Sequence, residues 1–100
     1  MSFDVRVGDQ DVGNYTANLS EMWQDALGQT FPSLHGLSGA DAATLLIRAL
    51  ADLEHPDEAD HWRQYEPANG WGKLENGNAF LRRLLRACLE YPDDPVEIRW

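Results

Sequence analysis

Residues 3–7 read Phe-Asp-Val-Arg-Val, residues 96–100 read Val-Glu-Ile-Arg-Trp, and how these two ends meet decides the fold. In the first, Phe3, Val5 and Val7 alternate with Asp4 and Arg6. In the second, Val96, Ile98 and Trp100 alternate with Glu97 and Arg99. A period of two puts the apolar groups of each segment on one face and the charges on the other, the pattern of a half-buried strand. An antiparallel pairing with Val5 opposite Ile98 sets Asp4 against Arg99 and Arg6 against Glu97. Both are opposite-charge neighbours of the kind cross-strand pairing favours. A parallel pairing has no such logic, so the termini are expected side by side. Residues 12–16 can add a third strand through a turn at residues 8–10.

Between these ends the period changes to that of a helix. Leu19, Met22, Trp23, Ala26 and Leu27 follow the spacing of an amphipathic helix. Asn18 with Glu21 fits a capping box at its start, and Gly28 fits its terminator. A second helix is predicted from about Gly39 to Glu54 on the stripe Ala42, Leu45, Leu46, Ala49, Leu50 and Leu53, capped by Ser38. Pro56 ends that stretch and suits the first position of a short third helix. Asp57, Glu58 and Asp60 then lie at its positive end. A fourth helix, about Leu74 to Glu90, carries Phe80, Leu81, Leu84, Leu85 and Cys88 on its apolar face, and Pro92 and Pro95 follow it. Phe31, Pro32 and Leu34 point to a partly buried connection. The expectation is one α+β domain over residues 1–100, about four helices on a short antiparallel sheet that pairs the N- and C-terminal strands.

Composition narrows the function. The chain has 100 residues, 43% of them hydrophobic, which is enough for a core. It holds 17 acidic residues against 8 basic, a net charge of -9. That balance argues against direct nucleic-acid binding and against an anionic membrane surface, and it suits a protein partner with a basic surface. No apolar run is long enough to span a bilayer, no export signal opens the chain, and the single Cys88 can form no internal disulfide. The expected compartment is the cytoplasm. The charge is also uneven. Residues 1–66 hold twelve acids and three bases, residues 67–100 five of each, and the excess is densest from Asp52 to Asp60. Asp52, Glu54, Asp57, Glu58 and Asp60 are therefore the candidate partner-binding face.

Catalytic and metal signatures are sparse. His35, His55 and His61 are the only histidines. Asp57 and His61 are helical neighbours, but His55 precedes a proline and no tight ligand pattern forms, so the segment reads as a solvated acidic helix start rather than a metal site. Cys88 falls on an apolar stripe near a helix C-terminus, the wrong place for a reactive thiolate. No glycine-flanked serine elbow and no phosphate-cradling loop occurs. Arg82, Arg83 and Arg86 lie opposite the apolar stripe of the fourth helix, where Arg86 can pair with Glu90. The sequence thus argues against an enzyme and calls for no cofactor.

Two polar motifs remain. One is Asn14-Tyr15-Thr16-Ala17-Asn18 running into Met22-Trp23, and the other is Asn69-Gly70-Trp71-Gly72. Asparagine and glycine allow unusual backbone, while tyrosine and tryptophan supply amphipathic surface. The two motifs either converge on a pocket, with Asn14, Tyr15, Asn18, Trp23, Asn69 and Trp71 as its candidates, or serve as caps, turns and core. On Asn14, Tyr15, Thr16, Asn18, Met22, Trp23, Asn69, Gly70, Trp71, Gly72 and Cys88, the chain resembles an uncharacterised family of small bacterial and phage proteins. Those proteins pair an NYTxN…MW segment with NGWG before a last helix. The resemblance covers nearly the whole chain except the acidic middle. It implies a compact domain of unestablished activity and supplies no catalytic residues, and a phage or mobile-element setting favours an accessory or host-interaction role.

The leading expectation is a non-catalytic acidic protein-interaction module that meets a basic partner surface, with an inhibitor that presents carboxylates in place of phosphates as one form of it. The alternative is a small-molecule-binding domain or minor enzyme with a pocket between NYTAN and NGWG. A homodimer through an exposed apolar helix face is compatible with either.

Overall fold

The computed structural model describes all residues from 1 to 100. Three strands, β1 (Ser2–Val7), β2 (Gln10–Thr16) and β3 (Val96–Arg99), form one antiparallel sheet in the order β2-β1-β3. Four helices, α1 (Ser20–Leu27), α2 (Gly39–Leu53), α3 (Ala59–Arg63) and α4 (Leu74–Glu90), complete an α+β fold. Short 3-10 turns at Ala17–Leu19, Phe31–Leu34 and Pro56–Glu58 join them.

The register follows the charges. Val5 faces Ile98, Asp4 faces Arg99 and Arg6 faces Glu97. Neither the exposed Asp4/Arg99 pair nor the pair of Arg6 with the half-buried Glu97 closes to an ion pair, which is usual where water screens the partners. Their role is to leave the apolar alternation as the only residues facing inward: Phe3, Val5, Val7, Val96 and Ile98 are all buried. Trp100 departs from the predicted alternation, since β3 stops at Arg99 and the Trp100 ring is exposed. The outer edge of β3 is covered by the chain after the second 3-10 turn. There Gly36 N–H donates to Val96 O, Val96 N–H to Leu37 O, and Ile98 N–H to His35 Nδ1. Covering an edge in this way denies it to other strands.

The helix stripes bury as their spacing demands. Met22, Trp23 and Leu27 of α1, Ala42, Leu46, Ala49, Leu50 and Leu53 of α2, and Phe80, Leu81, Leu84 and Cys88 of α4 meet in one core, with Leu45 and Leu85 half-buried at its rim. Ser38 caps α2 by accepting from Asp41 N–H, and Gly28 ends α1 in the left-handed region at φ 78°. The cap of the first helical segment differs from expectation. Thr16, not Asn18, accepts the orphan N–H, because the chain first makes the 3-10 turn of residues 17–19 and so moves the cap two residues earlier. Helices α2 and α4 run antiparallel, and at Gly39 the start of α2 lies tight against the end of α4. A Cβ there would lie 2.5 Å from Tyr91 O and 2.8 Å from Cys88 O. Burial pushes the Cys88 thiol up to about 11, so it serves as a small core hydrophobe. Arg86 makes no ion pair with Glu90. Arg83 reaches across instead, donating to Val12 O on the edge of β2 and lying over the Phe80 ring.

Candidate functional site

The end of β2 and the segment before α4 meet across 53 positions of sequence, where Asn18 Nδ2 donates to Trp71 O at 3.0 Å. They wall an open cleft of about 710 Å³. From the first side come Asn14, Tyr15, Thr16 and Asn18, from the second Asn69, Gly70, Trp71 and Gly72. Met1, Ser2 and Asn76 complete it. No lining side chain is a carboxylate, imidazole, thiol or amine.

The 66–74 segment is fixed by its own hydrogen bonds. Glu66 accepts from Leu74 N–H at 2.7 Å, capping α4 from eight residues upstream and closing the segment into a loop. Asn69 Oδ1 accepts from Trp71 N–H at 2.9 Å, and Gly70 N–H donates to Pro67 O. Gly72 sits at φ 124° with Leu19 Cγ only 3.1 Å from where a Cβ would stand. Only glycine supplies that backbone without strain. The result is an indole with 70% of its surface exposed, carried on a backbone that cannot easily fold it inward.

Trp23 does not line the cleft, which corrects its place among the pocket candidates. It follows the apolar period of α1 and is fully buried among Phe3, Phe31, Tyr15 and Phe80. Tyr15 stands between the two environments. Its ring packs 5.5 Å from Trp23 and 5.3 Å from Phe80, centroid to centroid, while the residue borders the cleft. Burial above all, against a backbone hydrogen bond from Lys73 and together with the Glu66 charge, raises its pKa, so the phenol stays protonated and can donate.

Sequence reasoning missed Asn76, although a signal was present. Asn76, Gly77 and Asn78 are three poor helix formers in the opening turns of a helix. Each has a tertiary reason. A Cβ on Gly77 would lie 2.6 Å from Leu19 Cδ1, Asn78 Nδ2 donates to Leu53 O at 3.3 Å, and Asn76 borders the cleft.

The acidic segment lies elsewhere. Asp52, Glu54, Asp57, Glu58 and Asp60 are all exposed, but only four of them are free of ion pairs. Glu54 accepts from both Nε and Nη2 of Arg82 at 2.6 Å, and this raises the Arg82 pKa. His55 Nδ1 caps the turn at Pro56–Glu58 by accepting from Asp57 N–H at 3.1 Å. Below the carboxylates, the buried Trp62 ties α3 to α2 through a hydrogen bond from its Nε1 to Asp52 O. No helix is long and apolar enough to cross a membrane. No family model, no curated protein and no solved structure matches the chain, so its own geometry must carry the functional reading.

Proposed function

We propose that the protein is a non-catalytic binding module whose recognition site is the cleft between residues 14–18 and 69–72. The observation that carries this reading is Trp71, a large ring held exposed beside asparagine side chains by a hydrogen-bonded, glycine-dependent loop. Leaving an indole in water forgoes its burial, on the order of 2 kcal/mol. Tryptophans that stay exposed on rigid supports are well suited to anchoring a ligand. No lining side chain is a general base or a nucleophile activated by one, which suits recognition. An accessory role, which a phage or mobile-element setting would favour, fits such a module.

The test is affinity purification with mass spectrometry on three forms of the full chain: the native protein, Trp71→Ala, and the charge reversal Asp57→Lys/Glu58→Lys/Asp60→Lys. Loss of the captured partner in Trp71→Ala alone supports the cleft. Loss in the charge reversal alone overturns it.

One observation favours a second reading. Asp52, Asp57, Glu58 and Asp60 stand exposed without ion pairs, which suits a basic protein surface approached by electrostatic steering. Affinity for such a partner falls as salt rises, and a salt-insensitive affinity counts against it.

A further inference from the structure

Resting on the cleft reading above, we propose that the ligand is a neutral carbohydrate, with a sugar ring laid on the exposed face of Trp71 and its hydroxyl groups matched to the surrounding amides. The argument is one of unfilled hydrogen-bonding capacity. Asn14 Nδ2 is occupied twice, by Ser2 Oγ at 3.0 Å and Asp4 Oδ1 at 2.8 Å, which leaves its Oδ1 free to accept. Asn18 spends Nδ2 on Trp71 O and likewise keeps Oδ1 free. Asn69 is the reverse: its Oδ1 is filled by Trp71 N–H, and Nδ2 remains free to donate. Asn76 has no partner within the protein on either atom, and Tyr15 borders the same cleft.

The lining of the cleft therefore includes both free acceptors and free donors beside one exposed apolar ring. A hydroxyl group both donates and accepts, so a ring bearing several hydroxyls can satisfy both kinds at once. A pyranose also has a face of C–H groups that can stack on an indole. A proline-rich peptide supplies mainly carbonyl acceptors and leaves Asn14 Oδ1 and Asn18 Oδ1 unfilled. It is also recognised by slots between aromatic rings, whereas Tyr15 turns its ring into the core and leaves Trp71 as the one platform. A nucleic-acid strand would stack on Trp71, but its successive phosphates need several cations, and among the lining residues only the Met1 α-amino group supplies one. The Asp4 carboxylate, hydrogen-bonded behind Asn14, repels an anionic ligand further. The cleft volume of about 710 Å³ is that of a small-molecule site, roughly 300–1,000 Å³.

The experiment is a two-dimensional NMR titration of the full chain that follows the Trp71 indole N–H and the asparagine side-chain amides. The probes are neutral trisaccharides of glucose, N-acetylglucosamine, mannose and xylose at millimolar concentration. Adenosine and a proline-rich decapeptide serve as controls. The expected result is a saturable shift of those resonances with at least one trisaccharide. Trp71→Ala should abolish it, and Asn76→Ala should weaken it about tenfold. The backbone spectrum of each variant reports separately that the fold is intact. If no trisaccharide moves these resonances while adenosine or the peptide does, the carbohydrate assignment is overturned and the cleft reading stands. If no probe moves them, the assignment is overturned and the cleft reading loses its support. Saturable shifts confined to another surface overturn both.

Discussion

Between residues 66 and 74 the chain leaves repeating structure, and each bend is held by a specific hydrogen bond: Glu66 to Leu74, Asn69 to Trp71, and Asn18 to Trp71 from the far side. Between residues 52 and 60 it passes from α2 through a 3-10 turn toward α3, and the buried Trp62 holds it from beneath while four carboxylates stand in water. The first region shapes a concave surface with uncharged side chains from contacts remote in sequence. The second displays charge from a local helical scaffold. A surface that depends on remote contacts is sensitive to each of them. A surface of solvated side chains on helix ends tolerates replacement of the side chains themselves.

Mutations can break or sharpen this contrast. The largest effect is expected at Leu19, which is fully buried beneath both Gly72 and Gly77 and so joins the two walls of the cleft. Leu19→Ala should cost about 2–5 kcal/mol in urea unfolding. A cost below 1 kcal/mol would mean that the loop is not seated on this side chain. Next comes Gly72→Ala, which forces a Cβ into a left-handed conformation against Leu19. A loss of about 1–3 kcal/mol is expected. The Trp71 fluorescence should change with it, and an unaltered spectrum and stability would contradict the account of the loop.

A third perturbation acts away from both regions, at the far end of α4, where Cys88 packs beside Gly39. The Cys88 thiol is raised to about 11 in the folded chain, against 9.0 for an ordinary thiol. The folded state keeps its proton where the unfolded state loses it, so the contribution of Cys88 is intact below pH 9 and is lost as pH rises toward 11. On the order of 1–2 kcal/mol should disappear across that window. Alkaline unfolding of Cys88→Ala should show a shallower slope than the native chain, and equal slopes would refute the assignment. Smaller again is Asn18→Ala, at about 1 kcal/mol. Its diagnostic is faster hydrogen exchange at the Trp71 and Gly72 amides with no change across 52–60. The smallest effect per side chain belongs to the reversal of Asp57, Glu58 and Asp60 to lysine, where only the placement of exposed acids at the start of a short helix is lost, about 0.3 kcal/mol for each charge. A loss per side chain comparable to that of Leu19→Ala would erase the distinction between the two regions.

The two tryptophans explain how far the sequence could be read. Trp23 lies in step with Leu19, Met22 and Leu27, so its burial is written in a helical period. Trp71 has no period around it. Four residues that suit a turn can hold a ring either inward or outward, and the choice rests on Glu66, Leu19 and Asn18, none of which adjoins it. The capping role of Asn18 was misread for a related reason. Spacing to Glu21 is compatible with a cap, but the side chain is claimed by the Trp71 carbonyl and Thr16 takes its place. Asn76 escaped notice because a single polar residue on a helix looks solvated until another segment arrives beside it.

What the sequence determined by itself was the set of faces. Alternation at residues 3–7 and 96–100 specified two half-buried strands and, through their charges, the register between them. The apolar stripes specified what α1, α2 and α4 bury, because the periods of 2 and 3.6 are properties of neighbouring residues. Tertiary structure alone decided that NYTAN and NGWG share a cleft, that Trp71 faces outward, and that Glu54 is matched by Arg82 while its acidic neighbours stay free. The physical reason is range. Periodicity records which side of an element avoids water, whereas a cleft is made by which elements meet, and here the decisive hydrogen bond spans 53 residues.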